Sequence, residues 1–324
     1  MADKFAALRK ALGVVPDDTG EDYLPKPLAD EMVNYIQERN WIRQLVGGVT
    51  MTAKTLTLPT VHKGDTGNVY LLGAGVDVSA GGRSELKPSS KAVVLNAKKF
   101  MAWATNDTED QEDGALDAAE LIMQNFADCF AAAEEEAMLI GDVDTYGATT
   151  NHLGAFDGLY TIAADSGKVT TTPVTYAGSD RQDVVDAVAD AIKELGLHGR
   201  DKGQLCLLVS SVLANRLRKQ DPLNQALQYG AATQIQQGTL VPVHGIKVIE
   251  TTFLDSKESG EVGILFNTTY PVVGDRRRIK VVNDPVPLSD LDRWVITERL
   301  DFKVRQQDVN GKAEGIVLIH KETT

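Results

Sequence analysis

AAELIMQNFADCFAAAEEEAMLIGD, residues 118–142, decides how the chain is read. Leu116, Ile122, Met123, Phe126, Phe130, Ala133, Ala137 and Ile140 recur at helical spacing and trace one apolar stripe. Just upstream, NDTEDQEDG (106–114) supplies N-cap oxygens and acidic groups that suit the positive end of a helix. Gly141 ends the pattern. Counted from Ala115 to Ile140, such a helix spans roughly 39 Å, about the width of a whole domain. Its alanines permit close approach of a sheet or another helix, and the run Glu134, Glu135, Glu136 is expected to include solvated positions. It reads as a strut, with no catalytic pattern beside it.

Upstream of the strut, LPKPLADEMVNYIQERNWIRQL (24–45) places Pro27 at a helix start, with Leu28, Met32, Tyr35, Ile36 and Ile42 on one face. Residues 1–24 form a short polar arm. Between Val49 and Asp107, Lys54–Thr60 and much of Lys91–Thr105 alternate apolar and polar residues, and the intervening segment is crowded with glycine. The expectation is a long two-stranded arm. Two strands alone are marginal in water, so the arm needs a surface of this molecule or of a neighbour.

Downstream, a turn-rich segment is expected from Gly141 to about Gly178. SDRQDVVDAVADAIKELG (179–196) then gives a helix with Val184, Val188, Ala191, Ile192 and Leu195 inward and Gly196 at its end. QLCLLVS (204–210) is a continuous apolar run suited to a central strand, followed at once by the helical SVLANRLRKQ. Helix, strand and helix in that order predict an α/β lobe. Residues 221–243, rich in Gln, Ala and Gly, predict a projecting loop. The strand-rich remainder, including EVGILFN, RRIKVVND, WVITERLDFKVRQQDV and GIVLIHK, is expected to cover the long helix in an α+β lobe.

Composition narrows the function. The 324 residues carry 46 acidic against 33 basic groups, a formal net charge of −13, which disfavours sequence-reading nucleic-acid binders. Cys129 and Cys206 read as buried free thiols of a reducing compartment. No window reaches the roughly 18 apolar residues of a membrane span, and the amino terminus lacks a cleavable signal.

The motifs of chemistry fail one by one. GAGVDV (73–78) has Val78 where a dinucleotide fingerprint needs its third glycine. Glu109, Gln111, Asp113, Gly114 and Glu120 imitate a calcium loop, but its first positions require short Asp or Asn side chains. Asp142, Asp144 and Gly147 depart further, with Tyr146 and Leu153 at ligand positions. The five histidines are dispersed, and GxSxG is absent. Catalytic, metal and cofactor sites are therefore expected to be none. Arg276, Arg277 and Arg278 form the one dense basic run, read either as a strand start with outward charges or as an ion-pair site for a neighbour's carboxylates.

The order of these parts resembles the major capsid proteins of tailed bacteriophages, of the Hong Kong ninety-seven type. LPKPLADEMVNYIQERNWIRQL, the run from Asn106 to Asp142, and VVGDRRRIKVVNDP (272–285) leading into FKVRQQDVNGKAEGIVLIHK (302–321) carry the resemblance, from about Leu24 to Lys321. It implies an α+β fold with an amino-terminal arm and lead-in helix (1–48), an extended hairpin loop (49–107), a peripheral domain (108–179 and 259–324) with its spine helix at 115–140, and an axial domain (180–258). It implies subunit contacts at Trp41, Arg43, Arg83, Glu85, Lys87, Arg276, Arg277 and Arg278. Gln225, Gln228, Tyr229, Gln234 and Gln236 fall in the loop at the symmetry axes.

The implied function is self-assembly, through hexamers and pentamers, into an icosahedral shell around double-stranded DNA. Portal, scaffolding and decoration proteins would be partners, and the host cytoplasm the place of assembly. An acidic lumen would let DNA slide past without sticking. Only some two dozen residues precede Pro25, so a separate scaffold, the arm itself or prior processing would serve where many relatives carry a longer leading segment. Lys87, Lys91 and Asn96 do not align to the Lys–Asn pair that joins subunits in some relatives, and no cross-link is expected. Two other classes stay open: an encapsulin-type nanocompartment shell, and a soluble α/β enzyme whose site the sequence conceals.

Overall fold

The structure, a computed structural model, describes residues 42–62, 89–107, 118–147, 151–178, 180–218, 242–286 and 291–322. In chain order these give α1 (Ile42–Leu45), β1 (Gly47–Thr50), β2 (Thr55–His62), β3 (Ser89–Asn96), β4 (Lys98–Asp107), α2 (Ala118–Ile140), α3 (Val143–Tyr146), α4 (Leu159–Ala164), β5 (Val174–Tyr176) and α5 (Arg181–Leu195). There follow β6 (Leu205–Val209), α6 (Ser211–Arg218), β7 (Lys247–Glu250), β8 (Val262–Asn267), β9 (Pro271–Val286), β10 (Leu291–Val304) and β11 (Ile316–Lys321). The chain divides into a smaller unit (1–37, 101–129, 281–296) and a larger one (38–100, 130–280, 297–324).

The strut exists. Helix α2 runs 23 residues to Ile140, about 34 Å at 1.5 Å per residue. Phe130, Ala137, Met138, Leu139 and Ile140 are buried along its second half, as the apolar stripe requires. The glutamates break the expectation, because Glu134 and Glu135 are also buried, at 4% and 0% exposure, and only Glu136 is half-exposed. Cys129 is another correction. It is exposed, with its thiol donating to Asn125 Oδ1 at 3.2 Å, whereas Cys206 is buried as expected and its thiol is pushed up to about 12 by burial.

The α/β lobe is a five-stranded mixed sheet of order β5-β11-β8-β6-β7. Strand β6 is buried at every position, pairing antiparallel with β8 and parallel with β7. A run apolar on both faces demands such an interior place. Helix α5 covers the sheet with Val184, Ala187, Val188, Ala191 and Leu195, which join Leu213 and Leu217 of α6 in one core. At its amino end the Asp183 carboxylate accepts from the Asp180 N–H at 3.1 Å, and Gly196 ends the helix at φ 53°. The outcome differs from expectation in one respect. Strands β8 and β11, read from sequence as cover for the long helix, lie within this sheet instead. Their continuously buried runs, VGILFN and the first four residues of IVLIHK, suit a sheet covered on both faces.

Strands β2 and β3 pair antiparallel from Thr55↔Asn96 to His62↔Ser89. Their flanks belong elsewhere: β1 pairs parallel with β9, and β4 joins β10, in a four-stranded sheet of order β1-β9-β10-β4. The alternation read as continuous from Lys91 to Thr105 therefore breaks at Ala97, where the chain leaves one sheet for another. Met51, Leu95, Ala97 and Val272 pack together beneath the base of the hairpin.

The segment expected to be turn-rich, Gly141–Gly178, also contains α3, α4 and β5. These elements are too short to announce themselves by periodicity. Within this segment the chain folds back on the end of α2: the Gly158 N–H donates to Gly141 O at 2.9 Å. A Cβ on Gly158 would lie 2.6 Å from the Leu139 carbonyl carbon and 2.7 Å from Gly141 N. These are backbone atoms that cannot rotate away. Gly158→Ala is expected to cost about 1–3 kcal/mol through overpacking, read as a lowered urea midpoint with unchanged slope.

Candidate functional site: a buried charge cluster in the larger unit

The buried glutamates of the strut have a partner 91 residues earlier in the chain. Arg43 sits on α1, whose Ile42 is fully buried, so the guanidinium is delivered to one place. Its Nε and Nη2 donate to Glu134 Oε2 and Oε1 at 2.7 and 3.0 Å, the two-pronged geometry that suits a planar guanidinium. Its Nη1 donates to both Asp275 oxygens at 3.1 Å, and Nη2 donates to Glu298 Oε1 at 3.2 Å. One cation thus joins α1, α2, β9 and β10.

Three carboxyl groups around one guanidinium cannot all ionise cheaply in a buried place. Burial lowers the Arg43 pKa, but Glu134, Asp275 and Glu298 more than offset it, so the net shift is upward and the guanidinium stays charged. Glu298 absorbs the strain of the excess negative charge. Burial first, then its hydrogen bond to Glu134 and the charges of Glu134 and Asp275, push it up to about 9 against the opposing pull of Arg43. At neutral pH it is a carboxylic acid that donates to the Glu134 carboxylate.

Smaller pairs secure the rest of the larger unit. His152 Nε2 lies 2.8 Å from Glu136 Oε2, tying the Asn151–Gly154 turn to the strut. Lys168 bridges Asp144 and Asp157 at 3.0 and 3.1 Å beside a cleft of ≈510 Å³ that also takes in Lys98, Asp301 and Phe302. Asp144, one of the expected calcium decoys, is thus held by a lysine, while Asp142 caps α3 by accepting from the Asp144 and Thr145 N–H groups. His198 Nδ1 lies 2.8 Å from the Tyr270 hydroxyl. Among the described residues, no group of three His, Cys, Asp or Glu side chains converges as a metal site, and no helix is long and apolar enough to cross a membrane.

Of the residues singled out from sequence, Arg43 lies in this cluster. Arg276 and Arg277 are exposed on β9 beside it, reaching Met51 O at 3.3 Å and Thr297 Oγ1 at 2.5 Å. Arg278 is a residue of β9. Trp41, Arg83, Glu85, Lys87, Gln225, Gln228, Tyr229, Gln234 and Gln236 lie outside the described residues, as do Pro27 to Ile36 of the lead-in helix and the first calcium-like loop. Sequence reading missed Glu134, Asp275 and Glu298. Nothing local in the sequence paired any of them with Arg43, which lies 91, 232 and 255 residues away.

Among the described residues, these charges lock elements together around the long helix. A sequence profile described as the Phage capsid family matches residues 20–309, and the chain belongs to that family. It is a capsid protein rather than an enzyme, and it works as one of many copies in a viral shell. Solved structures agree on the fold. A structure of Microbacterium phage Oxtober96 is 13% identical at TM-score 0.68, covering 98% of each chain. The capsid of a native GTA particle is 17% identical at TM-score 0.66, covering 94% of this chain and 98% of that one. The mature capsid of bacteriophage PhiM1 is 12% identical at TM-score 0.65, covering 91% and 90%. No curated protein matches at the level of sequence. The α+β fold is of the Hong Kong ninety-seven type, as the order of elements had implied.

Proposed function

We propose that the chain is the major head protein of a tailed bacteriophage, forming hexamers and pentamers that close into an icosahedral shell around double-stranded DNA. The match of the capsid family across residues 20–309 carries this reading. In it, residues 49–107 lie over an adjacent subunit, 108–179 and 259–324 form the peripheral domain, and 180–258 form the axial domain, except that β8 and β11, which share a sheet with β6 and β7, go with the axial domain. Gln225, Gln228, Tyr229, Gln234 and Gln236 meet their counterparts near the axes. Arg276, Arg277 and Arg278, with Trp41, Arg83, Glu85 and Lys87, serve contacts between subunits, whereas Arg43, expected among them, has its guanidinium engaged by Glu134, Asp275 and Glu298 of its own subunit. A portal, and scaffolding or decoration proteins, complete the particle, which assembles in the host cytoplasm.

The charge balance supports the enclosure of DNA without sticking. A net charge of −13 per copy, repeated over a shell, opposes phosphate binding and leaves the polymer mobile. Each contact between copies is free to be weak, because closure lets a subunit hold several neighbours at once and their free energies combine.

Electron microscopy of the purified protein, followed by nuclease-protected DNA measurement on particles from infected cells, tests the reading. Closed icosahedral particles containing double-stranded DNA are expected. A small discrete oligomer, or a shell holding a protein cargo in place of DNA, would overturn it.

A further inference from the structure

In the smaller unit, strand β4 lies at the edge of its sheet among the described residues and carries Met101 and Trp103 at 57% and 61% exposure. Between and beyond them Ala102 and Ala104 are half-buried, so the alternation of the strand turns Met101 and Trp103 to the same side. A tryptophan this open in water is costly unless something covers it.

Beside it stands a cation with unfilled capacity. The Arg293 guanidinium lies 5.8 Å from the centre of the Trp103 ring, within the range of cation–π attraction. Its Nε is buried without a hydrogen-bond acceptor, and among the described residues no carboxylate pairs with Arg293. The adjacent Trp294 Nε1 is likewise buried without an acceptor. Stacking fixes the guanidinium in place before any partner arrives, which lowers the ordering cost of binding. An aromatic anchor beside an arginine is the composition of an interface hot spot.

We infer that Trp103 and Arg293 form a docking point for a carboxylate-bearing surface of a second copy of this chain. The inference rests on the shell reading above and adds a named contact to it. Charge selects the occupant: with 46 acidic groups against 33 basic ones, a neighbouring copy is rich in carboxylates of the kind that no described residue offers Arg293. Many identical neighbours are also at hand in a capsid. Packaged DNA would offer phosphates to the same arginine, but the acidic balance of the whole chain disfavours a nucleic-acid face.

Hydroxyl-radical footprinting with mass spectrometry, on unassembled protein and on DNA-free shells of the full chain, tests this directly. Oxidation of Trp103 is expected to fall at least fivefold on assembly. Trp103→Ala and Arg293→Glu are each expected to raise the protein concentration needed for assembly at least tenfold, in keeping with the loss of a hot-spot residue. Far-UV circular dichroism and thermal melting of the unassembled variants, close to wild type, would separate a lost contact from a lost fold. Arg293→Lys, which keeps the charge, is expected to recover part of the loss. Undiminished oxidation of Trp103 in DNA-free shells would overturn the inference, as would protection seen only when DNA is present, or assembly of well-folded Trp103→Ala at the wild-type concentration. Failure of the wild-type chain to assemble at all would instead bring down the shell reading itself.

Discussion

Arg43→Met is expected to destabilise the protein by about 3–5 kcal/mol, the loss seen when one partner of a buried ion pair is removed and its counter-charges are stranded. Glu134 and Glu298 are almost wholly buried, so neither can turn to water when the guanidinium goes. Met replaces the aliphatic stem of the side chain and keeps much of its packing; what is removed is the charge and five directed hydrogen bonds. Urea unfolding at pH 7 reads the loss. Arg43→Lys should recover only part of the loss, since one ammonium cannot reproduce the two-pronged contact to Glu134 while reaching Asp275. A variant as stable as wild type at pH 7 would show that the cluster contributes no net stability, as can happen when desolvation cancels attraction.

The same cluster shows where sequence reading succeeds and where it stops. Helix α5 was legible because Val184, Val188, Ala191 and Leu195 obey a local period and Gly196 ends it, and β6 because an apolar run on both faces has few other places to go. The acidic triplet 134–136 was misread for the same local reason. Three adjacent glutamates on a helix point in three directions, and sequence alone does not say which of those directions is solvent. Burial of Glu134 is tolerated only because Arg43 arrives from 91 residues away, Asp275 joins it from 232 and Glu298 from 255. Strands β8 and β11 were legible as strands but not as neighbours, since pairing across Ile316↔Phe266 is a property of the closed sheet. Trp103 and Arg293 share the difficulty: each is ordinary where it stands, and only the sheet brings ring and guanidinium together.

Glu298 makes stability fall as pH rises, the opposite of the usual paired carboxylate. Its pKa is about 9 in the folded chain against an ordinary 4.5, so between those values the native state holds a proton that the unfolded chain has released. Unfolding therefore releases protons throughout that window and becomes easier with each step upward in pH. The contribution is fully present below about pH 4.5 and is lost progressively up to about 9, above which the slope vanishes. The groups that face Glu298 are Glu134 on α2, Asp275 on β9 and Arg43 on α1. The two carboxylates resist its ionisation more than the guanidinium favours it. Glu298→Gln removes the titration while keeping a neutral donor for Glu134. The variant is expected to be more stable than wild type by a few kcal/mol at pH 9, with the advantage narrowing towards pH 5, as urea unfolding at a series of pH values would measure. A difference between the two proteins that stays constant from pH 5 to pH 9 would mean that Glu298 is ionised throughout, and that Arg43 alone holds three charged carboxylates.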